Sequence, residues 1–253
     1  MDLHLQDKVA LVTGGWRGLG KAICLGLAAE GAHVVVNHFG NPTEAEALAA
    51  ELRSGCGVEA MALEADVSRE SDVEAMFRRI AERFSRLDVL VNNAALCPTR
   101  EVKDMTAQEW TETLQVNLTG TFLASREMVR QLIAAGRPGR IVSISSQAAF
   151  RGSTTGHAPY DASKGGIVSF TVSLAREVAK HQIAVNAVAP GMMLTEMTAQ
   201  TLQANQEKYL SRIPLGRIGQ TSEVANVVVF LASDRASYMI GATVDVSGGM
   251  LMR

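Results

Sequence analysis

The strongest constraint on the fold is an alternation that runs the length of the 253-residue chain. Short runs rich in β-branched residues are each followed by a longer stretch with helical apolar spacing. Strands are expected at 8–14, 32–38, 58–67, 87–95, 139–146, 183–190 and 242–249. Helices are expected at 19–31, 43–54, 69–85, 106–136 (one long helix or two in succession), about 160–180, and 221–234, the last capped by Thr221. Gly31 closes the first helix, and Gly55 and Gly57 punctuate the end of the second. Strands separated by helices pair in parallel, and right-handed crossovers put helices on both faces of the sheet. The expectation is one α/β domain over residues 1–253, a doubly wound sheet of seven parallel strands, with no repeat, linker or low-complexity tract. Such sheets bind ligands beyond the carboxyl ends of their strands, where the strand order reverses.

The chain is 47% hydrophobic and 20% charged, enough for a large core, and its net charge of −2 argues against nucleic acid or an anionic membrane surface as a partner. No apolar run approaches the roughly 18 residues that span a bilayer. The opening MDLHLQDKVALVTGG lacks a basic segment followed by a long apolar stretch, so the expected location is the cytoplasm. Cys24, Cys56 and Cys97 share no metal-ligand spacing and read as free thiols, Cys24 in the core and Cys97 at the edge of a pocket. The histidines His4, His33, His38, His157 and His181 are scattered, and no metal site is expected.

Directly after the first strand comes TGGWRGLGKA, with Gly14, Gly18 and Gly20 in the pattern T-G-x-x-x-G-x-G. A pyrophosphate needs a tight turn without Cβ atoms, a close backbone approach, and the free N–H groups of a helix N-terminus. A plain tight turn is the alternative, but the place between first strand and first helix favours a dinucleotide. At the end of the second strand, an Asp or Glu would take the adenosine ribose hydroxyls and select NAD. Here VVVNHFGN offers Asn37 and His38, with no acid until Glu44. Arg17 can supply positive charge to a 2′-phosphate, so NADP is favoured. NAD stays possible, because Asn37 can serve it and Arg17 can be a solvated loop cation.

In GHAPYDASKGG, Tyr160 and Lys164 stand four residues apart, about one helical turn, so both leave one face. Alone, that is as easily a surface pair as a catalytic one. In order along the chain, however, stand TGGWRGLG, Asp66-Val67, NNAA (92–95), Asn117, ISS (144–146), YDASK (160–164), PGMMLT (190–195) and GATVDVSGGMLM. Together these resemble the short-chain dehydrogenases/reductases from end to end, and so imply a Rossmann-type domain. The resemblance implies a cofactor bound by Gly14, Arg17, Gly18, Leu19, Gly20, Asn37, His38, Asp66, Val67, Asn93, Ala94, Tyr160, Lys164, Pro190, Gly191 and Thr195. Asp66 and Val67 would meet the adenine, and Thr195 the nicotinamide carboxamide. It implies Ser146, Tyr160, Lys164 and Asn117 as the catalytic set, with Tyr160 as acid/base, Ser146 holding the substrate oxygen, Lys164 binding the nicotinamide ribose, and Asn117 holding a relay water. Two departures are visible. Ala95 replaces a glycine, and Ser146 lies fourteen residues before Tyr160, one more than in many relatives, which leaves Ser145 as the alternative serine. A free phenol titrates at about 10. A Lys164 charge at about 4 Å, worth roughly 4 kcal/mol, is expected to lower that value. Relatives of this kind are commonly tetramers, so a homotetramer is expected.

The substrate should lie between two segments. One is a lid over about 192–215, with Met192, Met193 and Met197 giving an adaptable apolar surface or simply packing it down. The other is the wall 147–159, whose Gln147, Arg151, Ser153, Thr154, Thr155 and His157 face the pocket, solvent or another subunit. Similarity to the 3-oxoacyl-carrier-protein reductases points to an NADPH-dependent reductase of a 3-oxoacyl or other polar ketone. A polar wall points instead to a sugar or polyol dehydrogenase. A dinucleotide-binding sensor without catalysis would be expected to have lost the serine, tyrosine or lysine, and all three are present.

Overall fold

Val9–Val12 (β1) and Ile183–Pro190 (β6) are buried at every position, the signature of interior strands covered on both faces. In this computed structural model, residues 2–153 and 155–252 are described, with backbone alone for 197, 200, 201 and 204. Thr154 of the polar wall and the Met197 side chain therefore lie outside the described residues. The other strands are His33–His38 (β2), Ala60–Glu64 (β3), Val89–Asn92 (β4), Gly139–Ile144 (β5) and Thr243–Val246 (β7). All neighbours pair in parallel in the order β3-β2-β1-β4-β5-β6-β7, as expected for a doubly wound sheet. The order reverses between β1 and β4, which opens a crevice beyond their carboxyl ends.

One face of the sheet is covered by Gly18–Ala29 (α1), Pro42–Cys56 (α2) and, further along the chain, Thr221–Ala232 (α9). Ile23, Leu27, Leu48 and Val228 pack there on Val34 and Val36. The opposite face carries Glu70–Phe84 (α3), Gly120–Ala135 (α5) and Ala158–Val178 (α7), where Phe77, Ile80, Met128 and Val178 pack on Leu11 and Val35. Each helix presents one apolar stripe to the sheet, so the periodicity that predicted the helices also builds the two cores.

Several boundaries differ from expectation for physical reasons. The 106–136 stretch divides into Ala107–Leu114 (α4), a π-helical turn Gln115–Thr119, and α5. The cap of α9 is Gln220, not Thr221: Gln220 and Glu223 close a reciprocal capping box, and Thr221 is the first helical residue. Gly55 sits inside the last turn of α2, and Gly57, at φ +68°, ends it. Two helices flank the site: short Ala148–Arg151 (α6) and Glu196–Leu210 (α8), which occupies most of the segment expected as a lid and is kinked at Asn205. Among the described residues no helix is long and apolar enough to cross a membrane.

Candidate active site

Where the strand order reverses, the loops leaving β1 and β4 are tied together. Thr13 Oγ1 accepts from the backbone N–H groups of Asn93 (2.9 Å) and Ala94 (3.1 Å). Asn93 Nδ2 donates to the carbonyls of Thr13 and Gly14, both at 3.0 Å. A Cβ on Gly20 would lie 2.3 Å from the Gly14 carbonyl and 2.7 Å from Asn93 Nδ2, so only glycine lets α1 begin this close to the knot.

A cavity of about 410 Å³ runs along this seam. Gly14, Arg17, Gly18, Leu19 and Gly20 line it at the glycine loop, and Asn37, Asp66 and Val67 at the ends of β2 and β3. Asn93, Ala94 and Ala95 line its middle, and Ser145, Ser146, Tyr160, Lys164, Pro190, Gly191 and Thr195 its far end. Thr195 also caps α8, accepting from Thr198 N. Trp16, Phe39, Asn41 and Glu196 line the cavity too, and sequence reasoning passed over them. Their signal was position: each stands within three residues of a motif residue already named.

Asn37 and His38 are placed differently from the expectation. The Asn37 side chain is buried, and its Oδ1 accepts from Gly14 N at 3.1 Å. Its Nδ2 is shared among the carbonyls of His38 (3.3 Å), Leu63 (3.3 Å) and Ala65 (3.1 Å). Asn37 thus clamps the glycine loop to β2 and β3, leaving no free donor for a ribose. His38 is buried and does not line the cavity. Side chains alternate along a strand, so His38 follows Val34 and Val36 to the sheet face beneath α1 and α2. Phe39 and Asn41 reach the cavity in its place.

At the far end, Ser146 and Tyr160 both line the cavity, and the Ser146 hydroxyl lies near enough to the phenol to favour its ionised form. Ser146 Oγ also accepts from Ala148 N at 3.1 Å. Ser145 is turned inward, its hydroxyl donating to the Lys164 carbonyl at 2.9 Å. Of the two serines, Ser146 therefore faces the tyrosine. Lys164 is buried, donates to the Ile144 carbonyl at 2.6 Å, and holds Nζ 5.5 Å from the Tyr160 ring centroid.

The expected lowering of the Tyr160 phenol is corrected here. Burial pushes it up, with the nearby Cys97 acting in the same direction and the Ser146 hydroxyl opposing. Burial likewise pulls the Lys164 ammonium down to about 8. Removal from water penalises the charged form of both groups. Asn117 is wholly buried in the π turn, and its side chain is committed: Oδ1 accepts from Leu96 N (2.7 Å), and Nδ2 donates to Leu96 O (2.9 Å) and Ser163 Oγ (3.0 Å). The side chain has no donor left for a relay water. The main-chain carbonyl of Asn117 accepts from the Thr121 hydroxyl at 2.8 Å, as suits a turn whose hydrogen-bond register has slipped.

The described residues of the expected wall, 147–153 and 155–159, do not line the cavity. Arg151 donates to the Met250 carbonyl, Ser153 bonds Asp161 through N and Oγ, and His157 Nδ1 sits 3.0 Å from Pro98 O. None of its described polar residues lines the cavity. From the lid, Met193 does, while Met192 lines a neighbouring cavity of about 250 Å³. Cys24 lies in the core as expected, and Cys97 is half-buried with its thiol pushed up to about 11 by burial.

These residues fit a nicotinamide dinucleotide. The glycine loop carries no Cβ at its closest approach, and the first turn of α1 points its N–H groups into the cavity mouth. The acids lining the cavity are Asp66 and Glu196, and none stands at the end of β2.

Comparisons with known proteins agree with this geometry. A family model described as Enoyl-(Acyl carrier protein) reductase matches residues 14–251. The 3-oxoacyl-[acyl-carrier-protein] reductase FabG of Aquifex aeolicus is 43% identical over 99% of this chain and 100% of its own length. Among solved structures, a candidate short-chain alcohol dehydrogenase of Sinorhizobium meliloti 1021 matches with TM-score 0.93 and 35% identity over 99% of this chain and 98% of that one. A candidate gluconate dehydrogenase of Agrobacterium tumefaciens matches with TM-score 0.94 and 35% identity over 100% and 99%. The chain belongs to the short-chain dehydrogenase/reductase family and is one of its oxidoreductases.

Proposed function

We propose that this protein is an NADPH-dependent reductase of 3-oxoacyl thioesters, converting a ketone to a secondary alcohol. The observation that carries the reading is the Ser146–Tyr160 hydroxyl pair beside Lys164 at one end of the cavity. Two adjacent hydroxyls can serve one carbonyl oxygen, as ketone reduction needs. When bound, the nicotinamide supplies the hydride. Tyr160 then donates its proton to the oxygen that gains charge, and Ser146 holds that oxygen. A phenol pushed up by burial keeps its proton at neutral pH, which suits an acid in the reducing direction. Lys164, at about 8, remains mostly charged there and can hold the nicotinamide ribose. Any relay water would rest on the Asn117 main-chain carbonyl, since the amide is committed.

The choice of NADP is supported by Arg17 and by the missing carboxylate at the end of β2. The acyl substrate is supported by the FabG relative and by the apolar Leu96, Val116 and Met193 in the cavity lining. A sugar or polyol dehydrogenase is the second reading, supported by the gluconate dehydrogenase neighbour but no longer by the polar wall. A homotetramer in the cytoplasm belongs to the same proposal. The exposed Phe122 of α5 and Val172 of α7 suit burial against a second copy.

The test follows reduced-nicotinamide absorbance with NADPH and NADH. It compares a short 3-oxoacyl thioester, the matching 2-enoyl thioester, and a panel of aldoses and polyols run in the oxidising direction. Fast NADPH oxidation with the 3-oxoacyl thioester supports the proposal. Turnover confined to the enoyl thioester, or to sugars with NAD, would overturn it.

A further inference from the structure

Resting on the reading that NADP is the cofactor, we infer that Trp16 is a positioning residue that holds Arg17 ready for the 2′-phosphate. The two are neighbours in the glycine loop, and both line the cavity. The Arg17 guanidinium carbon lies 4.7 Å from the centroid of the Trp16 ring. Trp16 is half-buried and packed against the hydrophobic core on the α1, α2 and α9 side of the sheet. The ring is therefore anchored from beneath, while Arg17 is exposed above it.

Among the described residues no acid pairs with Arg17, so the indole is its visible restraint. A free arginine on a loop samples many rotamers and binds a phosphate only after losing them. A guanidinium laid over an indole face is held by attraction to the ring. Its in-plane N–H groups stay available, and these are what a phosphate accepts from. The segment after β2 brings Phe39 and Asn41 to the same cavity and has no acid of its own before Glu44; the carboxylate against it, Glu64 of β3, is engaged with Gly40 N at 3.3 Å. Other side chains would fit the same loop position without filling this role, because none but an aromatic offers the cation a face.

The experiment is a fluorescence titration giving dissociation constants for NADPH and NADH. It is run on the wild type, Arg17→Ala, Trp16→Ala, Trp16→Phe and the double variant Trp16→Ala/Arg17→Ala. Arg17→Ala is expected to weaken NADPH about 10- to 100-fold and NADH about twofold or less. Trp16→Ala is expected to weaken NADPH about three- to tenfold, with NADH again within about twofold. Trp16→Phe should restore most of the loss. In the Arg17→Ala background, removing Trp16 should cost NADPH nothing further.

Retained NADH binding shows that each variant is folded. Equal weakening of NADPH and NADH by Trp16→Ala, or full additivity in the double variant, would overturn the inference, because the ring would then act on the adenosine or on the fold and not through Arg17. A wild type that prefers NADH, or an Arg17→Ala that spares NADPH, would instead bring down the NADP reading itself. An Arg17→Ala selective for NADPH beside a silent Trp16→Ala would sink the role of Trp16 alone.

Discussion

The two ends of the cavity are built by different means. The cofactor end is main chain held in place by polar side chains: Gly14 and Gly20 at closest approach, the Thr13–Asn93 knot, and the Asn37 clamp across β2 and β3. At Gly20 a Cβ would lie 2.3 Å from the Gly14 carbonyl, and loss of the Asn93 or Asn37 amide would strand the carbonyls it serves. The substrate end is made of side chains from the end of β5, from α7 and from the segment after β6: Ser146, Tyr160, Lys164, Met193 and Thr195. Arg151, Ser153 and His157 of the neighbouring α6 and the loop after it are tied to Met250, Asp161 and Pro98, outside the cavity. One end is fixed by close backbone packing that glycines permit and amide side chains lock; the other depends on how separate segments are placed. Substitutions should therefore be costly and binding-specific at the first end, and mild or substrate-specific at the second.

The sharpest way to break that contrast is Gly20→Ala. With its Cβ 2.3 Å from the Gly14 carbonyl, the loop must move. Dinucleotide affinity should fall about 100-fold and stability by about 2–4 kcal/mol, read by fluorescence titration and urea unfolding. Asn37→Asp comes next. It would aim a carboxylate at the His38, Leu63 and Ala65 carbonyls, costing about 1–3 kcal/mol in urea unfolding. NADH affinity should not rise, although an acid at this position would by sequence logic favour NAD.

A pH profile probes the reacting groups. The raised phenol keeps Tyr160 protonated, so the alkaline limit on reduction should come from Lys164, which loses its charge as pH rises through about 8. Above that pH, kcat/KM should fall about tenfold per unit. Lys164→Arg, always charged, should shift that limb upward even at a lower rate. The smallest effect is expected at the wall: Ser153→Ala and Thr155→Ala should change KM by about twofold or less in steady-state assays, since both are exposed and outside the cavity.

What could be read in advance follows the same division. The order of strands and helices was legible because burial on both faces forces apolar runs; the expected 183–190 matches β6 residue for residue. The glycine loop, the N-N-A segment and the Tyr160–Lys164 turn were legible because chemistry demands those types at those spacings. The π turn at 115–119 was not, because its register slip is tied to hydrogen bonds between Asn117 and Leu96, remote in sequence. Asn37 looked like a ligand residue because nothing local reveals the three carbonyls around its amide. The polar wall looked like a pocket lining because its partners, Met250 and Pro98, are 99 and 59 residues away from the Arg151 and His157 they hold.

In the proposed reaction Tyr160 serves the chemistry and not the binding of the cofactor. The most direct measurement takes Tyr160→Phe and determines, on one preparation, the NADPH dissociation constant and the single-turnover rate of 3-oxoacyl thioester reduction. The account predicts affinity within about twofold of wild type and a rate about 1,000-fold lower. A rate within tenfold of wild type, or a loss explained by weakened NADPH binding, would contradict it.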